Sequence, residues 1–148
     1  MRDDVKKLLE ELLSLHTHKL GLINRLLLNE ADLRHHIDSE NPENIHKIIE
    51  QDNDIIASVD LTDFTISETT RVLCGILGIT PDRFDSFLME TSRGIHAELA
   101  GIMENTFSAI STLREERGRS VEQMKEISRS TGRKIEEIES MFRIDIKT

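Results

Sequence analysis

Apolar residues recur at alternating spacings of three and four along nearly the whole chain, which is the period of a helix stripe and not the strict alternation of a strand. The first row reads Val5, Leu8, Leu12, Leu15, Leu22, Leu26 and Leu33, broken at Lys19 and Asn29. The second reads Ile45, Ile48, Ile55, Val59, Ile66, Leu73 and Ile76, with Asp52, Thr62 and Thr69 at intervening positions. The third reads Met103, Phe107, Ile110, Val121, Met124, Ile135, Ile138 and Phe142, interrupted by Arg114, Arg117, Ser128 and Thr131. Three long rods are implied, and with them an all-α fold: an elongated antiparallel bundle of long coiled-coil-like helices. Leu9, Ile23 and Ile37 widen the first stripe, so the first helix is expected to meet more than one partner helix. The first two rows are dense enough to cover each other as a hairpin, whereas the thinner third row reads, after Gly118, as a surface that a partner completes.

Punctuation places the ends of the rods. A helix over 3–38 opens on Asp3 and Asp4, whose charges complement the positive end of the helix dipole. In the turn Ser39-Glu40-Asn41-Pro42, Asn41 is suited to capping the next helix and Pro42 to its first position. That second helix spans 42–77 and stops at Gly78. Thr65-Ile66-Ser67-Glu68 has the form of a capping box, so a break near 60–66 is one reading; the unbroken apolar register favours a continuous or merely kinked rod. Thr80-Pro81-Asp82 opens further helical segments over 81–128, with Phe84, Phe87 and Leu88 facing inward. Gly118 followed by Ser120 and Gln123 resembles a stop and restart, which predicts a bend there. A short helix over 132–143 carries Ile135, Ile138 and Phe142 on an apolar face with few sequence-adjacent partners.

With 148 residues the chain suits a single domain with a substantial core. Aromatic content is only 3 %, with no Trp and no Tyr, so the core must be aliphatic. The formal charge of -9 repels a phosphate backbone, and nucleic acid is not an expected partner. The lone Cys74 excludes an intrachain disulfide, and its apolar surroundings read as a buried side chain in a reducing compartment. A charged amphipathic N-terminus in place of a signal core, and the lack of a run near 18 apolar residues, predict a cytoplasmic protein without membrane insertion. Asp38, Glu40, Glu43, Glu50, Asp52, Asp54, Asp60, Asp63 and Glu68 crowd the middle of the chain against Lys47 alone. They read either as a solvated face or as a docking surface for a basic partner.

Candidate chemistry is sparse. Glu43 and His46 have the spacing of a di-iron bundle motif, but the nearest second copy, Asp32 and His35, starts with Asp and sits near a helix end, so no metal or other cofactor is expected. His16-Thr17-His18-Lys19 invites comparison with a phosphotransfer bundle, yet Leu20 stands before Gly21 where such domains have glycine, and bulky Leu22, Ile23 and Leu26 follow. No strained nucleophile turn and no glycine-rich phosphate loop is visible, so an enzyme is not expected. A phosphotransfer or signalling bundle using His16 or His18, and a structural coiled-coil homodimer, are the alternatives to a binding protein.

The order of features carries a resemblance. A leucine-rich first helix passes through Glu30-Ala31-Asp32-Leu33 and an acidic turn into Asn44-Ile45-His46-Lys47-Ile48-Ile49. An apolar helix closes on Arg71-Val72-Leu73-Cys74-Gly75-Ile76-Leu77-Gly78-Ile79, and a long amphipathic helix contains Glu104-Asn105. Over about residues 5–110 this layout resembles the FlgN-type flagellar export chaperones, small acidic helical proteins of the bacterial cytoplasm. The resemblance implies a non-catalytic chaperone that holds hook-filament junction proteins before type III export. It further implies client contacts from the C-terminal amphipathic region, here Val121, Met124, Ile127, Ile135, Ile138 and Phe142. The export apparatus is an implied second partner, met without the tyrosine the family usually carries near its end, because this chain has none.

Overall fold

In a computed structural model, which describes residues 2–90, 93–131 and 140–146, the chain is an all-α bundle with no strand among the described residues. Helix α1 spans Asp3–Asp38, α2 Pro42–Leu77, and α4 Gly94–Thr131; a 3-10 turn at Pro81–Arg83 and the short α3, Phe84–Met89, bridge α2 to α4. At about 1.5 Å per residue each long helix is a rod of roughly 55 Å. The ends follow local chemistry. Asn41 accepts a hydrogen bond from the Asn44 backbone N–H at 3.2 Å, with Pro42 next in the first turn. Gly78 closes α2 in the left-handed region at φ 71°, where an L side chain would be strained.

The helices run up, down and up. Val5, Leu9 and Leu12 of α1 share one core cluster with Leu73 and Cys74 from the end of α2, with Phe84 and Leu88 of α3, and with Leu99 near the start of α4. Leu22, Ile23 and Leu26 meet Ile55 and Val59 of α2 and Ile110 and Leu113 of α4 in a second cluster. Leu33 and Ile37 meet Ile45, Ile48 and Ile49 of α2 and Met124 of α4 in a third. α1 and α2 are therefore antiparallel, and α4 lies along α1 in the same direction. Most helix packing is α1 against α2 and α1 against α4, so α1 is the spine and its wide stripe serves both neighbours.

Both long helices run through the places where a stop and restart could be read, and for α2 this agrees with its unbroken apolar register. α2 is continuous through 60–66, held by the packing of Ile55 and Val59 on α1, and its hydroxyls do not cap a new start: Thr62 Oγ1 donates to the Ser58 carbonyl at 2.8 Å and Thr65 Oγ1 to the Leu61 carbonyl at 3.2 Å. α4 passes through Gly118 without a stop. Ser120 caps nothing there; its hydroxyl donates to Glu30 Oε2 of α1 at 3.0 Å, and the buried Arg117 pins the same turn. Of the short helix expected over 132–143, residues 132–139 lie outside the described residues. Ser140 and Met141 are helical, and the chain leaves the helix at Phe142.

Residues 142–146 form a strap laid back along the bundle. Phe142 is fully buried in the third cluster and Ile146 in the second, with Arg143 and Asp145 exposed between them. The strap thus alternates buried and exposed side chains as extended chain does. Arg114 donates to the Ile146 carbonyl at 2.6 Å, and the Arg117 guanidinium lies 5.9 Å from the centre of the Phe142 ring.

Candidate functional site

Three of the polar residues that interrupt the apolar rows, Asn29, Asp52 and Arg117, meet one another. Between the second and third clusters, Arg117 of α4 donates through Nε to Glu30 of α1 and through a terminal nitrogen to Asp52 of α2. Asn29 Nδ2 donates to the other Asp52 oxygen at 2.8 Å, and Ser120 completes Glu30. All three charged side chains are almost completely buried. Burial pushes the Glu30 carboxyl up from its ordinary range, and the neighbouring Arg117 and Ser120 oppose that rise. A network so fully paired presents no free acid, base or nucleophile; it locks three helices in one register.

A second polar level lies between the first and second clusters. Lys19 Nζ is 2.7 Å from Asp63 Oδ1 of α2, and both groups are largely shielded. His16 stands one turn earlier and is only 8 % exposed. Burial lowers its pKa from 6.5 to about 4, with the Lys19 charge adding to the fall and Asp63 opposing it. The imidazole is thus held neutral, with only its edge reaching the recess described next. His18 is exposed on the opposite side of that turn.

Two recesses flank Lys19. One, of about 500 Å³, is walled by α4 and α3, with Met103, Phe107, Leu88 and Met89 among its lining residues and His16 and Lys19 on the α1 side. The other, of about 860 Å³, is walled by α2 from Asp60 to Arg71 and by Pro81, and it reaches Asp145 of the strap. Met89 at 74 %, Phe107 at 60 % and Phe64 at 66 % exposure leave large apolar side chains at the rims. The two recesses meet at Lys19, in the gap between Ile146 of the strap and α3.

Of the six residues expected to contact a client, the structure describes four. Met124 is 5 % exposed and Phe142 fully buried, both in the third cluster, while Val121 and Ile127 are half-buried against it. Met124 and Phe142 are therefore core in this conformation: the strap folds back and covers the stripe that sequence-adjacent helices leave open. Ile135 and Ile138 lie outside the described residues.

Among the described residues, no group of three or more His, Cys, Asp or Glu side chains converges as a metal site, and no helix is long and apolar enough to cross a membrane. His46 instead pairs with Glu50 at 2.9 Å on an exposed face, and Cys74 is buried in the first cluster, where burial pushes its thiol up. The buried network was marked in the sequence only as breaks in the rows. A usable signal was present: Lys19 lies 22 residues before Asn41 and Asp63 22 after it, while Asn29 lies 12 before and Asp52 11 after. Residues equidistant from a hairpin turn face each other, so these breaks pair. Comparison with protein-family models, with curated proteins and with solved structures returns no match to this chain.

Proposed function

We propose that this chain is a non-catalytic chaperone of the flagellar export type, which binds hook-filament junction proteins in the cytoplasm and masks apolar segments of them before secretion. The observation that carries the reading is the strap. Phe142 and Ile146 seat an extended segment between helices, so the bundle's surface accepts an added apolar chain along its long axis. The layout of helices from Val5 to about Ile110 that resembles the FlgN-type chaperones supplies the class of client. Acidic charge supports the reading in kind, because an excess of 28 Asp and Glu over 19 Lys and Arg favours a soluble carrier that does not adhere to nucleic acid.

The client contact expected from the C-terminal region is confined to what is accessible. Val121 and Ile127 offer half-buried edges, and Met124 and Phe142 support them from below. Changing Met124 to Asp would consequently unfold the third cluster, and a truncation after Arg119 would remove the strap with it. The informative test keeps the full chain: isothermal titration with purified hook-filament junction proteins. A saturable one-to-one complex of micromolar or tighter affinity is expected with at least one of them; no heat with any of them overturns the proposal.

A further inference from the structure

We propose that the gap between Ile146 and α3 is a docking site for an extended, basic segment of a protein partner, with apolar residues at alternate positions. The inference rests on the reading of the chain as a protein-binding chaperone and names where, and by what chemistry, one client segment sits. Three observations converge. The stretch beside it already holds an extended segment with apolar residues at alternate positions, since Phe142, Ile144 and Ile146 face the bundle more than Arg143 and Asp145 do; that segment is electrically balanced, so the charge of the occupant is argued separately. The gap continues that seat along the bundle axis and offers apolar side chains at Phe64 on one wall and at Met89, Met103 and Phe107 on the other.

Charge chooses the occupant. Asp60, Asp63, Glu68 and Asp145 line the α2 recess against Lys19 and Arg71, and Asp85 and Glu104 line the α4 recess. Lys19 is already held by Asp63, and Arg71 by Glu68 at 3.0 Å, which leaves Asp60, Asp145, Asp85 and Glu104 as the acidic side chains of the lining without a basic partner among the described residues. Asp60, Phe64 and Glu68 fall at spacings of four along one side of α2, so an apolar contact lies between two acidic ones on that wall, with Arg71 paired to Glu68 at its end. An acidic segment, or a second copy of this acidic chain, would meet like charge; a Lys- or Arg-bearing segment would not.

The test uses the five methionines as reporters. The full chain is labelled with carbon-13 at the methionine methyls and titrated with two synthetic peptides built on the strap's pattern, Phe-Lys-Ile-Lys-Ile and Phe-Glu-Ile-Glu-Ile. Saturable shifts of Met89 and Met103 with the Lys peptide, with Met124 unmoved, are expected. The Asp60→Lys, Glu68→Lys double variant should weaken that binding by about tenfold, because both side chains are exposed and sit at the rim. Leu28→Asp, an exposed apolar position outside the gap, should leave it unchanged. Shifts of Met124 in place of Met89, equal binding of the Glu peptide, shifts that depend on the chain's own concentration without peptide, or no saturable shift would each overturn the assignment. Failure here with an intact junction-protein complex removes the docking site and leaves the chaperone reading standing; loss of both removes the reading itself.

Discussion

Arg117 shows how a single side chain can organise a bundle without contributing chemistry. It satisfies two buried carboxylates from two other helices, and removing it would leave Glu30 with only the Ser120 hydroxyl and Asp52 with only the Asn29 amide, both buried without a counter-charge. Arg117→Met is expected to cost about 3–5 kcal/mol of stability in urea unfolding. Replacing all three groups together, Arg117→Met with Glu30→Leu and Asp52→Leu, should recover most of that loss, because no charge then remains buried. A triple variant as unstable as the single one would show that shape, not charge pairing, governs the site. His16 gives a second residue-scale outcome. Its folded pKa of about 4 lies below the unfolded 6.5, so the stability it contributes is present above pH 6.5 and is lost as pH falls towards 4. Glu30 works in the opposite sense, since its raised folded pKa favours the folded state at low pH and that contribution fades as pH rises. The difference between wild type and His16→Leu isolates the imidazole: wild type should lose about 2 kcal/mol more than the variant between pH 7 and pH 5. Parallel pH curves for the two proteins would contradict the burial of His16. These roles were only half legible in the sequence, because a polar residue in an apolar row marks a break and its partner comes from another helix.

Helix ends followed local signals closely, and helix interiors did not. Asn41 with Pro42, and Gly78, act on backbone groups within a turn of themselves, so the α1–α2 turn and the end of α2 could be read directly from the sequence. Thr65 and Ser120 resemble caps by spacing alone, yet a hydroxyl inside a packed helix can bond back to its own carbonyls or across to a neighbour. Tertiary packing on α1 then decides, and both helices continue. Gly118 tests that conclusion at the scale of the element. It is exposed within α4, and an added Cβ would meet nothing within 4 Å. Gly118→Ala should therefore stabilise the protein by up to about 1 kcal/mol through helix propensity, seen as a higher midpoint in thermal unfolding. Destabilisation would restore the expected bend. The height at which α4 lies along α1 was not legible either, because the longer connection through Pro81–Arg83 and α3 hides the register that the simple α1–α2 turn makes plain.

At the scale of the whole molecule, three apolar clusters separated by two polar levels make a stiff scaffold, and the strap finishes only part of its length. Among the described residues the expected C-terminal stripe is partly covered: Phe142 and Ile146 fold back into the core, and recesses stay open both at Val121, Arg143 and Ile144 and beside α3. No periodicity argument could anticipate this, since five residues of extended chain carry too short a pattern to reveal where they dock. Phe142→Ala should cost about 3–5 kcal/mol, as for other large buried aromatics, and unfold the third cluster before the first in residue-resolved hydrogen exchange. The central claim is that the scaffold exists to keep another protein's apolar segments from associating. Light scattering of a purified hook-filament junction protein, incubated alone and with increasing amounts of this chain, tests it most directly. Scattering should fall in proportion and vanish near equimolar chain; scattering unchanged by a molar excess of the chain would contradict the account.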